Sequence, residues 1–270
     1  MTAVTSRLPA YLKLASLQLQ ITYAYRGEVI GGLLVVLLRI LLLKAVWTAA
    51  YAGRTSVDGV PLPDLITFLT LGNLQLVLMR PMLVWYLQQR IHEGQIGLDL
   101  ARPVPFLGQL FAQQVGATAG LVPFVVLAVP LAFLVGNLAP PASPVAAIAY
   151  LASLSLAYLI STLIGLLMGL VAFWTVQTLG VGVIYEFATQ FFGGALIPLS
   201  FFPPALRTIA DLLPFQTQVF IPVSIYSGAI SAPADIAGAL GLQVIWIAAL
   251  SVIVWFVWQH AKRVVTVYRG

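Results

Sequence analysis

Apolar residues run through this chain in long blocks, broken by a few short polar segments. Six blocks reach the roughly 20 residues that an α-helix needs to cross a hydrocarbon layer of about 30 Å. They cover about 29–51, 64–87, 111–138, 144–174, 181–199 and 236–260. Barrel strands would alternate apolar and polar positions every second residue, so continuous runs of this length predict helices. The fourth is long enough to tilt or to project beyond the bilayer. The pattern predicts an all-α integral membrane protein with six transmembrane helices, forming a single domain over residues 1–270.

The segments between the blocks differ in kind. Residues 8–26, "LPAYLKLASLQLQITYAYR", mix Leu12, Leu17, Leu19, Ile21 and Tyr25 with Lys13, Gln18 and Gln20. They are too polar to span and predict an amphipathic interfacial helix along the inner leaflet. Residues 200–235 carry Pro203, Pro204, Pro214 and Pro222 in an apolar setting. That segment is too apolar for a solvated loop and too broken for a span, which predicts one or two short helices re-entering the outer leaflet. "APPASP" at 139–144 predicts a tight turn between antiparallel helices.

Composition agrees: 61% of residues are hydrophobic and 8% are charged, with mean hydropathy +1.01. A soluble globule of this composition would lack a water-compatible surface. The net charge of +5 reads as loop charge rather than a nucleic-acid footprint. There is no cysteine, which excludes disulfides, thiolate metal sites and a Cys nucleophile. The first 26 residues lack the apolar core and cleavage site of a secretory signal, so the N-terminus is expected to be retained.

Lys and Arg set the orientation. With both termini cytoplasmic, Arg7, Lys13, Arg26, Arg90, Arg102, Lys262, Arg263 and Arg269 lie inside, and only Arg54 and Arg207 outside. This predicts a multi-pass membrane protein with both termini in the cytoplasm. Residues 88–110 are then the one sizeable cytoplasmic loop. Within them "RIHEGQIGLDLARPVPF" gathers Arg90, Glu93, Asp99 and Arg102 in a chain that has few charges to spend.

The order of these parts, with "EGQIGLDLARPVPFLGQL" at 93–110 and "FFPPALRTIADLLPF" at 201–215, resembles the permease subunit of an ABC-2 type ABC transporter, the type-two exporter class. The resemblance covers nearly the whole chain. Asp99 and Ala101 depart from it, standing where mostly apolar residues are expected. It implies that 92–103 is a coupling helix, which receives motion from cytoplasmic ABC ATPase subunits. It also implies a second permease, as homodimer or heterodimer, with ATP and Mg bound on the partner ATPase.

The residues suit that role. Gly94 and Gly97 permit sharp turns, Pro103 stops helix continuation, and Glu93, Asp99 and Arg102 are able to contact a soluble partner. The bland alternative is a polar loop whose arginines serve topology alone. No Lys follows a glycine, so these 270 residues hold no phosphate-binding G-x-x-x-x-G-K-[ST] and no cofactor is expected on this chain. His92–Glu93 begins like a zinc-protease helix but lacks the second histidine four residues on, and neither a catalytic centre nor a metal site is expected.

Four ionisable residues fall inside spans: Arg39, Lys44, Arg80 and Glu186. Arg39 is the deepest and needs a partner, water or a lumenal position; Lys44 is placed to snorkel outward. Arg80 and Glu186 lie at similar depth, about 8–10 Å from the inner ends of their spans, which allows a buried pair. These residues are read as structural pairing and snorkelling before a polar lining or proton-coupled site. Gly116/Gly120 and Gly165/Gly169 are read as packing within the chain before dimer contact. Trp246, Trp255 and Trp258 are read as anchors and packing, while Asn73, Gln75 and Gln177 define no substrate. The favoured function is an exporter permease for an amphiphile such as a drug, lipid or glycolipid. The alternative is an ATP-independent membrane protein, either a small secondary transporter or an assembly factor.

Overall fold

The computed structural model describes residues 7–175 and 179–267. In chain order the helices are α1 (Leu8–Ala24), α2 (Arg26–Tyr51), α3 (Leu62–Leu78), α4 (Met82–His92), α5 (Ile96–Leu100) and α6 (Phe106–Gly136). They continue with α7 (Pro144–Leu170), α8 (Leu179–Phe192), α9 (Pro204–Asp211), α10 (Phe220–Ser227) and α11 (Pro233–Val267). Among the described residues, five stretches are long and apolar enough to cross a membrane: Arg26–Tyr51, Leu62–His92, Phe106–Gly136, Pro144–Phe173 and Pro233–Arg263. The protein is an all-α, multi-pass membrane protein.

The fifth expected span is shorter than its hydropathy. Helix α8 has 14 described residues and ends at Phe192 rather than Leu199, about 21 Å at 1.5 Å per residue. Gly194 sits at φ +85, so the chain leaves the helix through a left-handed glycine. Pro198 and a 3-10 turn, Leu199–Phe201, follow.

The second expected span is interrupted. Pro81 lacks an N–H and disfavours helical geometry at Arg80, so α3 stops at Leu78 and α4 starts at Met82. The carbonyls freed by the break are answered by side chains from two other helices, as an apolar setting demands. Gln114 Nε2 donates to Arg80 O at 3.0 Å, Ser161 Oγ to Met79 O at 2.6 Å, and Thr118 Oγ1 to Leu78 O at 3.4 Å.

Helix α3 is the axis of the bundle, with every residue from Leu65 to Gln75 buried. Its polar side chains hold the segment at 195–228 in place. Asn73 Nδ2 donates to Ala195 O at 3.1 Å, and Gln75 Nε2 to Gln218 O at 3.1 Å and Val219 O at 3.3 Å. Gln75 lies 13 residues from Leu62, or about 20 Å along the helix, so the proline-marked segment follows α3 well into the bundle. Helix α10, with Ile221–Tyr226 buried, packs between α3 and α7.

Helix α1 begins where the amphipathic pattern predicts and packs against α6. Tyr11 meets Gly108, Ala15 meets Gly116, Thr22 meets Gly120, and Tyr23 packs on Phe124. Both sequences ascend together, so α1 runs parallel to the first half of α6. Glycines without Cβ atoms open a groove on α6 that takes the α1 backbone itself. Gly165 and Gly169 likewise meet Pro81 and Leu83, within the chain.

A short hairpin pairs Ser56 with Pro61 and Val57 with Val60. Its turn, Asp58–Gly59, has positive φ at both positions (49 and 76), the conformation that Asp-Gly favours. Helix α11 runs beside α7. Gln243 accepts from Ser153 Oγ at 3.0 Å and donates to Ser153 O at 3.0 Å and Thr217 O at 2.8 Å. Intramembrane hydrogen bonds average about 0.6 kcal/mol each. Gln243→Leu is therefore expected to lower stability in detergent by about 2 kcal/mol, whereas Val244→Leu on the exposed face stays within about 0.5 kcal/mol. Chemical unfolding of the two variants checks this.

Candidate functional site

One end of the bundle carries both described chain ends and the segment from α4 to α6. Helix α4 closes on Gly94 at φ +68, whose N–H reaches Ile91 O at 3.0 Å, a left-handed helix cap. The chain turns into the five-residue α5 and then meets Pro103 and Pro105, the second of which caps α6. Gly97 lies inside α5 in helical geometry. It does not make the turn expected of it; Gly94 does.

Apolar packing seats the segment. Ile96 and Leu100 lie against a cluster formed by Leu83 and Leu87 of α4, Phe106 and Leu110 of α6, Leu166 and Leu170 of α7, and Val254 and Trp258 of α11. Phe106 stacks on Trp258 at 4.8 Å. The loop therefore rests on four helices together.

A charged hub fixes its orientation. Asp99 is 1% exposed. Arg90 grips it with two bonds, Nε to Oδ2 and Nη2 to Oδ1, both 2.8 Å, the paired geometry that suits a guanidinium and a carboxylate. Arg102 Nη1 lies 3.1 Å from Oδ1, and the Tyr86 hydroxyl donates to Oδ2 at 3.4 Å. Gln109 Nε2 holds the backbone carbonyls of Asp99 and Val104, each at 2.9 Å, while its Oε1 accepts from Arg102 at 3.2 Å. Arg90 also donates to Gln95 Oε1.

The expectation that Asp99 faces a partner is corrected: its carboxylate is spent inside the loop. Two guanidinium groups and the apolar floor turn it inward, which also explains why a charged residue stands at a position expected to be apolar. Glu93, Leu98, Ala101, Arg102 and Pro103 are exposed, and Glu93 accepts from Gln89 at 2.8 Å. Arg102 is divided, paired with Asp99 yet with its side chain 39% exposed. Gln95 and Gln109 belong to the site without having stood out in sequence, because a glutamine in a loop carries no signal until its partners are known.

Of the charges expected inside the spans, Arg80 and Glu186 depart from the arrangement that their depths allowed. Arg80 and Glu186 are both exposed. Among the described residues the ion pairs are Arg90–Asp99, Arg102–Asp99 and Arg207–Asp211, so the Arg80–Glu186 pair is not formed. The cause is rotation about the helix axis: α8 turns Tyr185 and Thr189 inward and leaves Glu186 on its outer face. Arg39 donates instead to Gln190 Oε1 at 2.5 Å, one turn along α8 from Glu186. Lys44 donates to Val135 O at 3.0 Å and Asn137 Oδ1 at 2.9 Å, a cation at the C-terminal end of α6 where the helix dipole favours one.

In the 200–235 segment Pro203, Pro204, Pro214 and Pro222 each cap a helical turn or stand in its first residues. Pro203 caps α9 and Pro204 is its first residue, Pro214 starts a 3-10 turn, and Pro222 stands in the first turn of α10. Arg207 lies over the Phe220 ring at 4.7 Å. Gln177 lies outside the described residues. Among the described residues, no group of three His, Cys, Asp or Glu side chains is gathered as a metal site would require.

A family model described as ABC-2 family transporter protein matches residues 33–268. No curated protein and no solved structure matches the chain.

Proposed function

The chain belongs to the ABC-2 family of transporter proteins, and from that premise we propose that it is the permease subunit of an ATP-driven exporter. It pairs with a second permease, homologous or identical, to form the substrate path, and separate cytoplasmic ABC ATPase subunits bind the ATP and Mg. They drive it through residues 92–103. The protein lies in a prokaryotic inner membrane with both termini in the cytoplasm, because the loop end of the bundle is the end that collects the Lys and Arg residues. Helix α8 with the turn after it completes a sixth crossing, and the 200–235 segment re-enters from the outer face. The apolar walls suit an amphiphile such as a drug, lipid or glycolipid.

The observation that carries this reading is the joint itself. A cytoplasmic segment held by the Asp99 hub and seated on α4, α6, α7 and α11 moves those helices when it moves. Packed interiors transmit displacement because they are dense and weakly compressible. A loop present only for topology would need no such seating.

Glu93 tests the reading, being exposed and outside the hub. Glu93→Lys is expected to leave membrane insertion and the melting temperature unchanged while lowering transport-linked ATP hydrolysis at least tenfold in proteoliposomes. Full coupling in that variant would count against the proposed role of 92–103.

A further inference from the structure

Residues 92–103 expose one large apolar side chain. Leu98 is 67% exposed, while its neighbours in the five-residue α5 turn inward: Asp99 into the two arginines, Ile96 and Leu100 onto the apolar floor. The hub fixes α5 on its backbone as well as its side chains, since Gln109 holds Asp99 O at 2.9 Å. Leu98 is therefore presented outward by construction.

Lipid does not cover it. Lys44 and Asn137 mark the outer end of α6, and a hydrocarbon layer of about 30 Å measured from there spans about 20 residues, reaching Ala117. Gln109, level with Asp99, lies eight residues further in, about 12 Å past that boundary at 1.5 Å per residue. An outer boundary placed further out, toward Tyr51, carries Leu98 further from the hydrocarbon. The large apolar side chain therefore stands outside the hydrocarbon on a segment that also exposes Glu93 and Arg102, charges of opposite sign. A buried apolar anchor ringed by polar groups is how a compact protein contact concentrates its energy.

Resting on the reading of the chain as a permease driven by separate ATPase subunits, we infer that Leu98 is the knob by which the ATPase holds the loop. It seats in an apolar socket of that subunit, with Glu93 and Arg102 on the rim. Asp99 is the positioning residue that aims it.

Photocrosslinking in living cells tests this on the full-length chain, with p-benzoylphenylalanine replacing Leu98, Glu93 or, as a lipid-facing control, Leu151, which is 60% exposed on α7. Crosslinked products are identified by mass spectrometry. The expected result is a polypeptide carrying a phosphate-binding loop captured from positions 98 and 93 and not from 151. In parallel, Leu98→Asp is expected to reduce the co-purified ATPase at least tenfold with an unchanged melting temperature, and Leu98→Met to retain it. Capture of lipid alone at 98 while 93 captures the ATPase overturns the Leu98 assignment and leaves the permease reading standing, as does full ATPase recovery with Leu98→Asp. Capture of no ATPase from either loop position overturns both.

Discussion

Asp99→Ala is expected to be the most damaging single substitution at the loop, lowering stability by about 3 kcal/mol. The substitution leaves Arg90, whose side chain is 19% exposed, with no carboxylate, and removing one partner from a buried ion pair costs about 3–5 kcal/mol. Arg102 is more exposed and adds little, because solvent screens its share. For a chain of this size the loss corresponds to a melting temperature lower by about 6–12 °C in detergent. Asp99→Leu combined with Arg90→Met should recover most of it, since replacing both charges leaves neither uncompensated. A double-mutant cycle should then return a coupling above about 1 kcal/mol. An unchanged melting temperature in Asp99→Ala, or simple additivity in the cycle, would contradict the hub.

Gly116→Leu is expected to detach α1 from α6. A Cβ at Gly116 would lie 2.1 Å from the Ala15 carbonyl oxygen and 2.7 Å from the Ala15 Cα. These are backbone atoms, which have no rotamer to escape into. Overpacking of this kind costs about 1–3 kcal/mol for modest insertions, and here one helix must move off the other. The chain has no cysteine, so Tyr23→Cys with Phe124→Cys gives a clean pair for a short bis-maleimide. Crosslinking is expected to fall at least tenfold when Gly116→Leu is added. Undiminished crosslinking would mean that the close approach of Ala15 to Gly116 is not what holds α1 in place.

Hydropathy placed the long helices because burial in a bilayer imposes length and composition on every span. The break at Met79–Pro81 had its cause in view as a single proline, but apolar residues on both sides made one block of two helices. Whether Arg80 and Glu186 face one another was illegible, because a rise of 1.5 Å per residue carries no azimuth. Arg39 found Gln190 for the same reason: which face of α8 turns inward is decided by packing. The direction of Asp99 was illegible because a five-residue helix is too short for a periodicity to declare a buried face. Gly116 and Gly120 make contacts within the chain, but small-residue spacing names no partner, and that the partner is α1 follows only from the fold.

On the permease reading, this chain is moved by ATP hydrolysed on another polypeptide. Affinity purification of the full-length chain from its own membranes in mild detergent, with mass spectrometry of its companions and an ATP hydrolysis assay on the same sample, tests it most directly. The expected result is a stoichiometric second polypeptide carrying a G-x-x-x-x-G-K-[ST] loop, with hydrolysis that disappears when that polypeptide is removed. A chain that purifies without such a partner and transports in proteoliposomes on an ion gradient alone would contradict it.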